Sequence, residues 1–210
     1  MRRLALIFLY PLLDRAHTLY WQHKIFTEWE EGLLLEDMDG EEDASVEQDA
    51  LGGDEFYLGE NAGEPEISEN TVDEAISYNT LGILEIEKIG LKLPVLRGTS
   101  DAILKIGAGL LEGTAEVGES GNTVLAAHRS HTYGRFFNRL DELEVGDKIT
   151  IFTSDEHYQY TVYNTVLVEA GDTSILGASE DEWILTLYTC DPLYSVNPPN
   201  RLIVQAKMDK

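Results

Sequence analysis

One cysteine, Cys190, stands in 210 residues, and that scarcity excludes an intramolecular disulfide. It is also too few for a cysteine-rich zinc site. A single thiol with histidines elsewhere in the chain is either a buried small hydrophobe or a nucleophile. Basic residues are scarce as well, and unevenly so. The formal net charge is −24, yet residues 28–75 hold nineteen Asp and Glu and no Lys or Arg, leaving only about −5 for the rest. The acidity therefore describes one segment and not the folded body. It argues against nucleic-acid binding, which needs a basic footprint.

A full-length membrane span is also missing. In "MRRLALIFLYPLLDR" the apolar run from Leu4 to Leu13 is ten residues, whereas a bilayer core needs about 20. The run has the size of a signal-peptide core, but no A-x-A-like cleavage site follows it. It also fits the surviving end of a longer anchor. "DRAHTLYWQHKIFTEWEE" then reads as a helix with apolar residues interleaved with charge. A juxtamembrane helix and a helix packed on the domain both fit this pattern. Membrane association through residues 1–31 is thus one expectation.

Residues 32–75 have the composition of a disordered tether, acidic and short of aromatics. "LEDMDGEEDASVE" fails as a calcium loop: with Gly40 at the sixth position, Leu35 and Val46 fall where ligands belong. The segment reads as a self-repelling spacer. The alternative is a strip that folds back and regulates access to a cleft.

From residue 76 to 210 the texture changes. "LGILEIEKIG", "LKLPVLRGT", "TVLAAHRS", "KITIFTS", "EHYQYTVYNTVLVEA", "WILTLYTC" and "RLIVQAKM" read as strands. The fifth of these looks bent at Asn164. "SDAILKIGAGLLEGTAE" reads as a short helical or turn-rich connector capped by Ser100 or Asp101, and "GRFFNRLDELEVGD" as a short helix and turn. Seven or eight short strands with little helix predict an all-β barrel or sandwich.

His128 and Cys190 each end an apolar strand-like run, and Arg201 opens one eleven residues after the cysteine. Strand ends gather at the rim of a barrel, so the three can meet. A thiolate is the nucleophile of such a trio. His128 can then give a proton to a leaving amine, and Arg201 can hold a carbonyl oxygen as charge develops on it. "HRSH" sets His128 and His131 three apart near Cys190, but so loose a ligand set does not specify a metal.

The block "TLYTC" followed by "NRLIV", with "TVLAAHRS" upstream, resembles the sortases, cysteine transpeptidases of Gram-positive surfaces. The resemblance covers about residues 81–208. Its Thr-Leu-x-Thr-Cys motif is specific, and the short catalytic part with a Pro-Pro loop before Arg201 looks most like class D. The resemblance implies a seven- to eight-stranded sortase-like barrel with one or two short helices, and His128, Cys190 and Arg201 as catalytic residues. It places Thr189 at a position associated with substrate contact. Ala127 stands where the family usually has Gly, which predicts a methyl narrowing the site. Arg129, beside His128, rivals Arg201 as the group holding the oxyanion, and with Thr189 and Ala127 completes the expected substrate-binding set. Family prolines are replaced at Glu87 and Val117-Gly118.

The implied reaction is cleavage of an LPxTG-like sorting signal after Thr, at the outer face of the cytoplasmic membrane or in the cell wall. The acyl group passes to an amine of a peptidoglycan precursor or a pilin, and no metal or organic cofactor is required. A thiol peptidase using water as acceptor is one alternative, and a non-catalytic peptide-binding module another. The loops near 171–182 and 191–200 are expected to set peptide specificity.

Overall fold

The computed structural model describes residues 2–36, 80–177, 181–195 and 197–209. Most of the predicted acidic tether lies outside the described residues.

Eight strands close into a barrel in the order β1-β2-β3-β4-β7-β8-β6-β5. They are β1 (Thr80–Ile86), β2 (Leu91–Arg97), β3 (Ala108–Leu110), β4 (Gly121–Ala126), β5 (Lys148–Phe152), β6 (His157–Glu169), β7 (Trp183–Asp191) and β8 (Asn200–Met208). Closure removes the open edges that an exposed sheet would offer to other chains. The two-residue alternation of these strands sends one set of side chains inward. Leu84, Leu93, Leu125, Ile149, Ile151, Leu185, Leu187 and Val204 fill the interior. Each such burial contributes about 1.5–3 kcal/mol.

Gly90 joins β1 to β2 in the left-handed conformation at φ 60°, which a glycine adopts without steric cost. The bend expected at Asn164 is a bulge: the β6–β8 register shifts between Val162 and Asn164. One strand was not foreseen. β3 has three residues, pairing in parallel with β2 and antiparallel with β4. Its stretch "AGL" is too short for alternation to show, so the sequence reads as a connector. A side chain at its Gly109 would run into the carbonyl of Gly98. Just before it, Ser100 caps the four-residue helix α2 (Asp101–Leu104), its Oγ accepting from the Ile103 N–H. The expected helix after "GRF" is a kinked 3₁₀ stretch, Phe137–Glu142.

The N-terminal helix, α1, runs from Arg2 to Glu36, past the predicted boundary at residue 31. Thr18, Trp21, Ile25 and Trp29 fall on one face by their spacing of three and four. Trp21 and Ile25 bury against Ile83, Leu96 and Ile106, with Trp29 packed beside them. Thr18 donates to the carbonyl of Lys105, and Gln22 to that of Ile106. Ile83 and Leu96 point outward from the wall, because their neighbours Leu84 and Val95 face the interior. Of the two readings of this helix, packing on the domain is therefore what the fold contains. Among the described residues no helix is long and apolar enough to cross a membrane.

Candidate active site

Three neighbouring strands bring His128, Cys190 and Arg201 together. β4 and β7 run parallel, with Ala126 opposite Tyr188. The Ala127 N–H donates to the Tyr188 carbonyl at 3.2 Å, carrying this pairing one residue further. His128 is thereby set abreast of Cys190. β8 runs antiparallel on the other side, and Arg201 is the register partner of Cys190. Adjacent strands lie about 4.8 Å apart, so the row His128–Cys190–Arg201 crosses the wall over roughly two such steps.

Alternation fixes the side of the wall on which this row stands. Leu125, Ala127, Leu185, Leu187, Leu202 and Val204 belong to the interior. Residues of the opposite parity, including all three of the row, face outward. The trio sits close to the strand ends, as expected, but on the outer surface of the barrel. Cys190 is a free thiol and half-buried.

The three residues expected to touch substrate stand behind this row. Thr189 is 1% exposed, and its Oγ1 donates to the Ala127 carbonyl at 2.8 Å, tying β7 to β4. The Ala127 methyl points into the core, so it does not narrow the cleft. Strand alternation is the reason in both cases: each is one residue from a member of the outward row. Arg129 is turned inward too, its side chain 8% exposed. Its guanidinium pairs with Asp191, the residue after Cys190, and with Asp141 at 3.1 Å. It ties the strand end beside the cysteine, and it also lines the cleft beyond His128.

Arg201 is held differently. Its Nε donates to the Tyr188 hydroxyl at 2.9 Å, and Nη1 donates to the carbonyls of Pro198 and Asn200. Its guanidinium also lies 5.8 Å from the centre of the Tyr188 ring. Among the described residues Nη2 makes no hydrogen bond, and so this nitrogen is available on the outer face beside Cys190. Tyr188 was not singled out in the sequence. The signal was present, since it lies two residues before Cys190 and so on the same face.

His128 is exposed on one side and packed on the other, where its ring meets the edge of Phe136. Phe136 has φ 48°, the one positive value outside glycine among the described residues. Such backbone strain costs about 1–3 kcal/mol and clusters at functional sites. Burial lowers the His128 pKa below its ordinary 6.5, Asp101 opposes this, and Lys105 adds to it. Burial thus favours the neutral imidazole. If the neutral form is required, the acid limb of kcat/KM for cysteine attack should inflect below 6.5. An inflection above that value in the pH profile would contradict this assignment.

Beyond His128 the surface opens into a cleft of about 380 Å³ that His128, Arg129, Arg135 and Phe136 line, with Lys105 and Thr18 at its far side. At its mouth the His131 ring meets Tyr194 of the β7–β8 connection at 5.1 Å. On the outer face the buried Thr186 hydroxyl donates to Asn122, whose amide donates to the carbonyls of Ile175 and Leu176. The connection between β6 and β7 is anchored in this way.

The sortase-domain profile matches residues 84–209. Over 127 residues the chain is 36% identical to Sortase D of Bacillus subtilis, covering 60% of this chain and 62% of that protein. Among solved structures, a Clostridium perfringens Sortase D5 transpeptidase superposes with a TM-score of 0.58 at 31% identity. That match covers 71% of this chain and 91% of the other. A Clostridium perfringens sortase C, solved with the C-terminal cell wall sorting motif, gives 0.57 at 35% identity over 63% and 71% of the two chains. The chain spans about half to just under two-thirds of the length of the curated relatives it matches. With the Thr-Leu-Tyr-Thr-Cys strand, the eight-stranded barrel and these matches together, the chain belongs to the sortase family.

Proposed function

We propose that this protein is a sortase-type cysteine transpeptidase acting on an LPxTG-like sorting signal. The observation that carries the reading is the outward row in which Cys190 on β7 stands opposite Arg201 on β8, with His128 two residues past the end of β4. Neutral His128 takes the Cys190 proton as the sulfur attacks the threonine carbonyl. The resulting oxyanion is met by Arg201, whose charge is permanent and whose position is set before substrate arrives. His128 then hands its proton to the departing amine. The carbon–nitrogen bond breaks and a thioester to Cys190 remains.

An acceptor amine reverses the sequence. It attacks the thioester and gives its proton to His128, and the Cys190 sulfur leaves. A new amide joins the surface protein to the acceptor. The acceptor is an amine of a peptidoglycan precursor or a pilin lysine, and the site of action is the outer face of the cytoplasmic membrane. Partners are therefore surface proteins that carry sorting signals. No metal or organic cofactor enters any step.

The test mixes the full chain with LPxTG and LPxTA peptides, with and without a primary amine. Mass spectrometry reads the products, and Cys190→Ala is the control. An amine-joined product that disappears in the control is expected. Cysteine-dependent cleavage that yields only free acid with every amine would make the protein a thiol peptidase. No reaction with any peptide, together with a Cys190 that resists thiol reagents, would make it a binding module.

A further inference from the structure

We propose that Arg129 and Asp191 are positioning residues whose pairing holds the His128 imidazole and the Cys190 sulfur at the spacing the reaction needs. This inference rests on the transpeptidase reading above, in which those two groups exchange a proton. Each member of the pair directly follows a member of the row: Arg129 follows His128, and Asp191 follows Cys190. In the parallel register Ala126 stands opposite Tyr188. Counting on, Ala127 meets Thr189, His128 meets Cys190 and Arg129 meets Asp191. The backbone ladder stops short of this level. Its last bond runs from the Ala127 N–H to the Tyr188 carbonyl, and among the described residues no backbone hydrogen bond joins the two segments beyond it. The His128 carbonyl accepts instead from the Phe137 N–H at 3.1 Å.

Side chains take over where the ladder ends. Before the row, the Thr189 hydroxyl donates to the Ala127 carbonyl at 2.8 Å. After it, Arg129 Nη1 donates to an Asp191 carboxylate oxygen. These two ties bracket His128 and Cys190. Both lie behind the row, where Thr189 and the Arg129 side chain have little access to water. The second is the stronger kind, because both of its partners are charged. Arg129 Nη2 also reaches Asp141 of the 3₁₀ stretch at 3.1 Å, so one guanidinium joins the β7 end to a second support.

Stability alone does not call for this arrangement. Apolar packing of similar volume often replaces a buried ion pair without loss, and here the Arg129 Nε is buried with no hydrogen-bond partner. What the planar cation adds is a fixed distance and direction between two strand ends. Proton exchange between imidazole and thiol requires hydrogen-bond reach between them. A misplacement of about 1 Å can cost about 10²-fold in rate.

The experiment measures two things in the full chain: alkylation of Cys190 by iodoacetamide, and kcat and KM for cleavage of an LPxTG or LPxTA peptide. Asp191→Ala cuts the tie and leaves Asp141 to answer the Arg129 guanidinium, so the fold is retained. Its kcat should fall by roughly ten- to a hundredfold, with KM changed by less than about threefold, and its alkylation should slow. Removing a carboxylate beside a thiol favours the thiolate. A pair acting through charge alone therefore predicts alkylation as fast as native or faster, and that result overturns the inference. Combined with His128→Ala, Asp191→Ala should slow alkylation no further than His128→Ala does alone, since both act on one contact. Losses that multiply overturn the inference. Arg129→Lys keeps the charge and should retain more of kcat than Arg129→Ala. Ile151→Val weakens the core on β5, three strands from β7, and should leave both rates within about twofold. If it lowers kcat as much as Asp191→Ala does, the loss reports stability and the inference falls. Absence of peptide cleavage by the native chain overturns the transpeptidase reading, while the alkylation series still decides the tie.

Discussion

Replacing Arg201 with alanine is expected to lower kcat for peptide cleavage by about 10²–10³-fold, the loss typical of one oxyanion donor. KM should change far less, because the group acts on charge that exists only in the transition state. Three contacts define how the side chain is held: Nε to the Tyr188 hydroxyl, and Nη1 to the carbonyls of Pro198 and Asn200. A lysine cannot reproduce that fork, so Arg201→Lys should recover little. Tyr188→Phe removes one anchor and keeps the ring, and its loss of kcat should be smaller. Steady-state rates on one peptide check the series. A direct readout separates the roles further: alkylation of Cys190 involves no oxyanion, so Arg201→Ala should alkylate almost normally while His128→Ala slows. If kcat falls less than threefold in Arg201→Ala, the oxyanion belongs to another group.

Arg129→Ala should produce the largest loss of stability among the site variants, about 2–4 kcal/mol. Removing one partner of a buried pair strands the other charge. Asp191 is 20% exposed in the pair and would be left beside Cys190 without its cation, while Asp141, at 55%, can turn to water. This partial access of the carboxylates places the estimate toward the lower part of the range for buried pairs. The Arg129 Nε is itself buried without a hydrogen-bond partner, so the side chain is held by its two carboxylates and little else. Asp191→Asn should cost less, since Asp141 still answers the guanidinium. Urea unfolding midpoints measure both variants. A loss below about 0.5 kcal/mol for Arg129→Ala would place it with surface pairs and remove its role as the tie behind the cysteine.

The strands that build the site were legible because each alternates or runs apolar over a full strand length. "TVLAAHRS", "WILTLYTC" and "RLIVQAKM" put His128, Cys190 and Arg201 at strand ends by pattern alone. Alternation also encodes which side of the wall each residue faces. Counting by two from Leu187 sends Thr189 inward and Cys190 outward, so Thr189 and Ala127 belong behind the row, as their burial shows. Arg129 continues the inward parity of Ala127, and its carboxylate partners lie 62 residues away at Asp191 and in the 3₁₀ stretch at Asp141. Pairings at such separation leave no trace in local pattern. β3 was missed because three residues cannot display a period. The wall that α1 gives the cleft at Thr18, bonded to the Lys105 carbonyl, depends on how a helix docks, which periodicity on the helix alone does not fix.

One further contrast bears on chemistry. In sequence terms His128 reads as the proton donor to the leaving group. Burial lowers its pKa, so in the proposed reaction it would act first as a base toward the thiol and only then as an acid. In that proposed reaction the same residue would serve both halves of the exchange, each proton being passed on before the next arrives.

The most direct test of the central claim is the intact mass of the full chain after brief mixing with an LPxTG or LPxTA peptide and no amine. A thioester on Cys190 predicts one adduct with the mass of the peptide up to and including its threonine. That adduct should be absent in Cys190→Ala, and adding a primary amine should discharge it as the joined product. Peptide cleavage that persists in Cys190→Ala, or that proceeds with no adduct at any time, would contradict covalent catalysis at this cysteine.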